Sequence, residues 1–279
     1  MTTPGALFDI SKPLSLRAYL ADLWRHRQLI VELARADLKQ RHVDTALGNV
    51  WYFLNPILLT AIYFWIFVLI LGTNRGLGDA EFLPYLAISV GLFQFGQRAT
   101  MAGAKSLIVN RRLVRLVRFP RGVLPISGVL AELAAVGPAL FVGAVVAVFA
   151  GEVPGFDWLL VIPAAMLLAL FITGLSFVAA RAAEASGDVI NLVPWVFRLL
   201  FYLSGVIYSV DKFIDKAWQR DLFLINPFHS LLSLVRYPIV PDASPITGPM
   251  IIIAFGWTAV SLLLGLWLFR RGEANYGRE

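Results

Sequence analysis

The sequence predicts an all-α integral membrane protein with six spanning helices, and three observations support that fold class. Of the 279 residues, 58% are hydrophobic and only 15% are charged, whereas about a quarter of residues in soluble domains are charged. Long stretches carry no charge, and a spanning helix needs about 20 mostly apolar residues. Basic residues collect between alternate apolar stretches. The charge-free stretches are Thr45–Asn74, Phe82–Gln97, Leu133–Gly151, Trp158–Ala180 and Ala243–Phe269.

Basic residues mark the predicted cytoplasmic side, because Lys and Arg concentrate in short cytoplasmic loops. Seven bases lie in Met1–Asp44, and six bases without an acid lie in Lys105–Arg121. The segment Gly151–Asp157 has two acids and no base. This pattern predicts a multi-pass membrane protein with both termini in the cytoplasm. It accounts for the net charge of +6 without nucleic-acid binding.

Residues 1–44 are predicted to form a cytoplasmic arm with an amphipathic helix at the membrane surface. The sequence from Ser11 to Pro13 is a typical helix start, and a second charged helical stretch, Glu32–Arg41, leads into the membrane. An apolar face at helical spacing indicates a helix lying in the interface. That face consists of Leu16, Tyr19, Leu20, Leu23 and Ile30.

Residues 45–271 form the predicted membrane domain, and residues 272–279 form a cytoplasmic tail. Between the fifth and sixth spans, the uncharged run Leu222–Val235 is too short to cross a bilayer and contains Asn226-Pro227, which breaks a helix. We expect two short helices that re-enter the membrane from the external face. The six spans are placed near Trp51–Gly72, Phe82–Ala104, Val123–Ala150, Trp158–Ala180, Val189–Tyr208 and Pro249–Phe269.

Several kinds of catalytic chemistry are missing from the sequence. Without a Gly-Lys pair, the chain has no phosphate-binding G-x-x-x-x-G-K-[ST] loop. It has no cysteine, and none of its three histidines belongs to an H-E-x-x-H motif, so no metal site is expected. An enzyme is therefore not favoured, and no cofactor is expected in this chain. A membrane-embedded glycolipid-processing enzyme is the alternative.

Three charged residues fall within or near the predicted spans, where charge is costly and often functional. Arg98 and Glu132 lie in adjacent spans at similar depth, so they are expected to pair; the alternative is that they line a polar pathway. Arg198 lies near the middle of the fifth span and is expected to face the interior of the bundle.

Two further features each have two interpretations. The basic loop Lys105–Arg121 either holds anionic lipid or forms a short amphipathic helix that docks on a cytoplasmic partner, with Leu113, Leu116 and Val117 on its apolar face. The aromatic residues of the first and fifth spans either form belts at the membrane interfaces or line a path along which sugar rings stack.

Three motifs stand out, formed by Leu38–Arg41 with Thr45–Pro56, by Arg118–Pro125 and by Ile225–Arg236. Together they resemble the ABC-2-type permeases that export polysaccharides such as O-antigen, teichoic acid, capsule or galactan across the bacterial plasma membrane. Leu38–Arg41 and Thr45–Pro56 resemble the entry to the first span of these permeases. Arg118–Pro125 resembles the start of their third span, and Ile225–Arg236 resembles their external segment. An ABC-2 exporter of a drug or small lipid would have a similar fold and is the alternative within transporters.

The resemblance implies a homodimer with two separately encoded ATPase subunits, which bind ATP and Mg²⁺ and drive a polyprenyl-diphosphate-linked glycan outward. The predominance of arginine over lysine suggests a GC-rich bacterial genome, which favours cell-wall galactan. By this resemblance the ATPase-coupling residues are Arg111, Arg112, Arg115, Arg118, Glu184 and Asp188. The channel-lining residues are Tyr63, Trp65, Trp195, Arg198, Phe201 and Tyr202. The residues that attract the lipid diphosphate are Arg25, Arg27, Lys39 and Arg41.

Overall fold

The computed structural model describes residues 15–41, 46–70, 72, 77–117, 119–214 and 216–273. Within these ranges the regular structure is entirely helical, in agreement with the predicted fold class. A π-helix, Trp65–Ile70, continues the third α-helix, and a 3₁₀ turn, Phe156–Leu160, precedes the seventh. In chain order the α-helices are α1 (Leu16–Arg25), α2 (Arg27–Gln40), α3 (Trp51–Phe64), α4 (Asp79–Val109), α5 (Arg111–Leu116), α6 (Val123–Phe149), α7 (Val161–Ala185), α8 (Val189–Leu203), α9 (Val210–Phe213), α10 (Ala217–Ile225), α11 (Pro227–Arg236) and α12 (Gly248–Gly272).

Four helical segments among the described residues are long and apolar enough to cross a membrane. The 31-residue α4 is not among them, since Gln94, Gln97 and Arg98 lower its hydropathy. The 15 residues of α8 extend only about 22 Å, against a hydrocarbon core of about 30 Å. That α4 and α8 also cross the membrane stays a prediction. The four segments are Trp51–Val68, Val123–Phe149, Phe156–Ala185 and Gly248–Gly272.

Helix α4 lies at the centre of the bundle. Its first half is almost completely buried, and Phe82, Tyr85 and Phe93 are each at most 2% exposed. The helix packs mainly against α6 and α7. Because protein surrounds α4 on several sides, its polar residues do not have to face lipid.

The pairing of α7 with α12 depends on small residues. A Cβ atom on Gly174 would lie 2.3 Å from the carbonyl carbon of Ser261, and one on Gly265 would lie 2.3 Å from the carbonyl oxygen of Gly174. The Ser261 hydroxyl donates to the Phe171 carbonyl at 3.1 Å. Small residues and hydroxyl groups at helix contacts are typical of membrane bundles, since they let two backbones approach closely.

One end of the bundle, which we call the basic end, gathers the helix ends predicted to be cytoplasmic. A cluster of buried apolar residues forms its core, and Leu113 and Val114 of α5 pack against that cluster. Contacts among Ala104, Ala179 and Ala183 place the α7–α8 loop at the same end. The N-terminal helices, α5 and the α7–α8 loop therefore share one end of the molecule. The buried cluster consists of Tyr19, Leu23, Leu107, Val123, Leu124, Phe177, Ala180, Leu266 and Phe269.

The N-terminal arm contains two helices with bounds that differ from the prediction. Ser15 caps α1, while the predicted start at Ser11 to Pro13 lies outside the described residues. The chain turns at His26, and α2 begins at Arg27 rather than at Glu32. The turn at His26 divides what the sequence suggested was one apolar face.

This division changes which apolar residues are covered. Tyr19 and Leu23 are buried against the basic end, as expected for the inner face of α1. Leu16 and Leu20 are 41% and 48% exposed, so only part of the predicted apolar face packs against the protein. That the face lies in the membrane surface stays a prediction.

The segment between α8 and α12 contains the two short helices that the sequence predicts, α10 and α11, preceded by the single-turn α9. The Asn226 side chain accepts a hydrogen bond from the Phe228 amide at 3.0 Å and caps α11. Pro227 occupies the first turn of α11, where its missing N–H has no helical partner to lose. Helix α11 is buried against α4, α7 and α12. Its re-entry into the membrane stays a prediction.

Replacing Gly174 with alanine should destabilise the α7–α12 pair, because the new Cβ would collide with the backbone of α12. We expect Gly174→Ala to lower the free energy of unfolding by roughly 1–3 kcal/mol, measured by chemical unfolding in detergent micelles. Gly256→Ala on α12 is the matched control, since no atom lies within 4 Å of its Cβ position. Equal stability of the two variants would contradict this account of the packing.

Candidate functional site

Three charged side chains meet where the end of α2 lies beside α4 and α6. Glu132 on α6 is 6% exposed and accepts a hydrogen bond from Arg98 Nε at 3.1 Å, which confirms the predicted pair. Its second carboxylate oxygen lies 2.7 Å from Arg41 Nη1. Arg41 also pairs with Asp37. Burial lowers the pKa of Arg41, but Glu132 and Asp37 more than offset this effect and hold the pKa above its ordinary value.

This ion pairing changes the interpretation of Arg41. The sequence predicts a surface cation that attracts a lipid diphosphate, but Arg41 joins a charged triad with Glu132 and Arg98. The sequence missed the Arg41–Glu132 contact because the two residues are far apart in the chain and meet only when α2 packs on α6.

A cavity of about 290 Å³ lies beside the triad, between α3, α4 and α6. Two guanidinium groups, two amides and two aromatic rings contribute to its wall, whereas the carboxylates of Glu132 and Asp37 do not. Small residues of α4 and α6, Gly91 and Ala135 among them, complete the wall and leave space for the cavity. The polar and aromatic lining residues are Arg41, Trp51, Tyr52, Asn55, Gln94 and Arg98.

Aromatic rings connect the predicted first and fifth spans. Tyr63 stacks on Phe201 with ring centroids 5.6 Å apart, and Phe201 contacts Phe93 of α4 edge-on at 5.4 Å. Trp65 and Tyr202 are each 57% exposed on the same two spans. The structure thus brings Tyr63 and Phe201 together and leaves Trp65 and Tyr202 on the surface of the single chain.

Helix α8 has an exposed face that includes two more of the predicted channel residues. Trp195 is 65% exposed, and the Arg198 guanidinium lies over its ring at 4.7 Å from the centroid. Arg198 is exposed, so the prediction that it faces the interior of the bundle is wrong within the single chain. Stacking on Trp195 gives this cation a partner on the surface. The apolar and aromatic members of the face are Leu192, Trp195, Val196, Leu199, Tyr202 and Leu203.

The predicted coupling residues lie at the basic end. Arg111, Arg112 and Arg115 are exposed on α5, and Arg118 lies outside the described residues. The α5 segment is a short helix, but Leu113 and Val114 form its packed face, whereas Leu116 and Val117 are exposed. Leu113 therefore packs on this chain, Leu116 is left uncovered, and Val117 lies just after the helix ends. That this segment docks on a partner stays a prediction.

Glu184 and Asp188, the acidic coupling candidates, flank the α7–α8 loop. Glu184 is half-buried near the end of α7, and Asp188 is exposed immediately before α8. Contacts among α4, α7 and the start of α8 hold this loop at the basic end, where α5 also lies. The geometry therefore presents basic and acidic groups on the same end of the bundle.

The three other candidates for attracting a lipid diphosphate are surface cations. Arg25, Arg27 and Lys39 are exposed on the N-terminal helices. Arg27 lies over the Trp24 ring at 5.3 Å, a combination of cation and indole that suits a membrane interface.

A polar cluster fastens α1 to the bundle. The Tyr19 hydroxyl accepts a hydrogen bond from the Gly122 amide at 3.2 Å and donates to Glu273 at 3.4 Å. Glu273 also accepts from the Arg121 amide at 2.9 Å. Burial raises the pKa of both Tyr19 and Glu273. The cluster joins the surface helix to the start of α6 and the end of α12.

Arg236 anchors the opposite end of the bundle and is 1% exposed. Its guanidinium donates to Ser89 at 3.0 Å, to the Gly205 carbonyl at 2.9 Å and to Ser233 at 2.9 Å. It also lies over the Tyr85 ring at 4.3 Å. The sequence missed this role, although an arginine that closes an apolar run is a signal of a buried charge. The anchor joins α11 to α4 and to the turn after α8.

A bundle of apolar helices with buried charges at a few internal points defines a multi-pass membrane protein. The chain belongs to the ABC-2 type transporter family, whose model matches residues 28–240. The family assignment confirms the resemblance seen in the three sequence motifs.

Three proteins with the same name are similar to this chain over most of its length. The O-antigen export system permease protein RfbA of Myxococcus xanthus is 28% identical over 250 residues, which cover 88% of this chain and 91% of the relative. A protein of the same name from Klebsiella pneumoniae is 26% identical over 206 residues, covering 73% of this chain and 77% of the relative. A second Klebsiella pneumoniae protein of that name is 28% identical over 217 residues.

Proposed function

We propose that this chain is the permease subunit of an ABC exporter that moves a lipid-diphosphate-linked polysaccharide outward across the bacterial plasma membrane. The similarity to O-antigen export permeases over most of the chain carries this proposal. Galactan stays a prediction for the identity of the glycan.

The energy for transport would come from a separate ATPase subunit. The sequence contains no phosphate-binding G-x-x-x-x-G-K-[ST] loop, so ATP would have to be hydrolysed by a partner, with its Mg²⁺. The exposed arginines of α5 and the acidic α7–α8 loop share one end of the bundle, which supports a docking surface there. We propose that two such ATPase subunits bind a homodimer of this chain.

The exposed face of α8 and the aromatic residues of α3 would form the path of the glycan. In a homodimer, facing copies of these surfaces would enclose a channel with Tyr63, Trp65, Trp195, Phe201 and Tyr202 along its wall. Aromatic faces stack on sugar rings without demanding a particular linkage, which suits a polymer that slides. Arg198, exposed beside Trp195, would supply a polar contact on the same wall.

Charge reversal on α5 should disrupt the complex with the ATPase. We expect an Arg111→Glu and Arg115→Glu double variant to lose the co-purifying ATPase while still inserting into the membrane, because both side chains are exposed and contribute no core packing. The measurement is affinity co-purification of the co-expressed ATPase, followed by its ATPase rate.

Arg17→Glu with Arg35→Glu is the matched control, since it changes the charge equally at two exposed positions on α1 and α2. The control should retain the ATPase. If wild-type chain captures no ATPase, the proposed function fails. If the α5 variant captures as much as wild type, the docking surface lies elsewhere.

Removing the stacked pair Tyr63 and Phe201 should impair export. Each lost sugar contact is worth about 0.5–1.5 kcal/mol, so we expect Tyr63→Ala with Phe201→Ala to slow glycan export roughly tenfold at normal protein level. Export is measured as lipid-linked glycan appearing at the cell surface. Phe149→Ala with Phe255→Ala is the control, since both rings are exposed on α6 and α12. Unchanged export in the Tyr63 and Phe201 variant would refute the aromatic channel.

A further inference from the structure

The cavity between α3, α4 and α6 contains hydrogen-bond donors that no described residue satisfies. Arg98 donates to Glu132 through Nε alone, so the N–H groups on its two terminal nitrogens have no acceptor among the described residues. Its side chain is 42% exposed, towards the space that it lines. An arginine fork can still bind an oxyanion through those two nitrogens.

Two side-chain amides on the same wall also have no partner among the described residues. Asn55 on α3 and Gln94 on α4 both line the cavity, and neither side chain makes a hydrogen bond to another described residue. Their helices pack against each other and against α6, and two of these three helices are apolar enough to span a membrane. Hydrocarbon cannot satisfy an amide or a guanidinium, so acyl chains are poor occupants of this cavity.

The charges around the cavity favour an anion. Arg41 and Arg98 both lie on its wall, whereas their carboxylate partners Glu132 and Asp37 do not. A ligand in the cavity therefore meets two guanidinium groups and no carboxylate. The volume of about 290 Å³ equals that of roughly ten water molecules, enough for a phosphate-bearing headgroup but not for a long polymer.

We propose that this cavity binds the phosphate-bearing headgroup of a lipid, with Arg98 and Arg41 holding the phosphate oxygens and Asn55 and Gln94 holding neighbouring hydroxyl groups. That the natural lipid is the carrier of the exported glycan rests on the proposed function. The site lies on the side of α3 that faces α4 and α6, apart from the Tyr63–Phe201 stack.

Glu132 is the internal competitor for this ligand. Its two carboxylate oxygens hold Arg41 and Arg98 in the structure, in the same way that a phosphate would hold them. An arriving headgroup would share or take over these guanidinium contacts. Since Arg41 follows α2 directly, exchange of partners at Glu132 would change how the N-terminal helices are fastened to the bundle.

The test measures lipid binding to the purified full-length chain in detergent, without any ATPase. The probe is geranylgeranyl diphosphate, with geranylgeraniol as the phosphate-free control, and binding is followed by the fluorescence of tryptophan, of which Trp51 lines the cavity. Arg98→Gln should weaken diphosphate binding about tenfold or more, because it removes a charge-assisted contact. The control Arg35→Gln removes the same charge from an exposed position on α2 and should leave binding unchanged.

Glu132→Gln should instead strengthen binding, because it removes the competing negative charge and keeps the shape of the side chain. A misfolded protein would not bind more tightly, so this gain separates ligand binding from a loss of structure. The proposal is overturned if Arg98→Gln binds as wild type does, if Arg35→Gln weakens binding equally, or if Glu132→Gln binds no more tightly.

Competition identifies the source of the headgroup. If phosphatidylglycerol displaces the diphosphate, the site binds membrane phospholipid headgroups. If it does not, the site is selective for a lipid diphosphate, and both results support a phosphate-bearing headgroup site. Because no ATPase is present, failure of this binding test does not contradict the proposed function. Failure to capture an ATPase likewise does not contradict the proposed headgroup site.

Discussion

Every charge inside the helical bundle must find its partner inside the bundle, because hydrocarbon offers none. The Arg41–Glu132–Arg98 triad meets this constraint in part at one end, where a single carboxylate holds two guanidinium groups and leaves the terminal nitrogens of Arg98 without an acceptor among the described residues. At the other end, the two terminal nitrogens of Arg236 donate to hydroxyl and carbonyl acceptors, and its guanidinium lies over the face of Tyr85. Both sets of contacts involve α4. This explains why the least apolar long helix lies at the centre of the bundle rather than facing lipid.

The same constraint relates the structure to transport. Polar groups that protein contacts fully satisfy, as in the Tyr19–Glu273 cluster, hold elements in place. Polar groups that protein leaves unsatisfied, as at Arg98 and Gln94, mark space that a polar ligand would fill. The uncovered aromatic face of α8 is a third kind of surface, which a second copy of the chain and a sliding glycan would share. We propose that these three classes of contact serve anchoring, headgroup binding and conduction.

Some of this organisation could be predicted from the sequence because it depends on local chemistry. Composition predicts the membrane bundle, Asn226-Pro227 predicts the break between α10 and α11, and matching depth predicts the Arg98–Glu132 pair. The rest depends on how the helices pack. Arg41 reaches Glu132 only through the docking of α2, which no local pattern encodes. The Trp195–Arg198 contact is local, at i,i+3 spacing on a helix, but which side of α8 faces the bundle depends on packing.

The central claim is that this family member is a permease that exports a lipid-linked glycan only with a partner ATPase. The most direct test reconstitutes the chain with its proposed partner ATPase in proteoliposomes loaded with lipid-linked glycan, and measures how much glycan reaches the opposite leaflet. The account predicts translocation that requires ATP and both subunits. Translocation without the ATPase, or ATP hydrolysis by an assembled complex that moves no glycan, would contradict it.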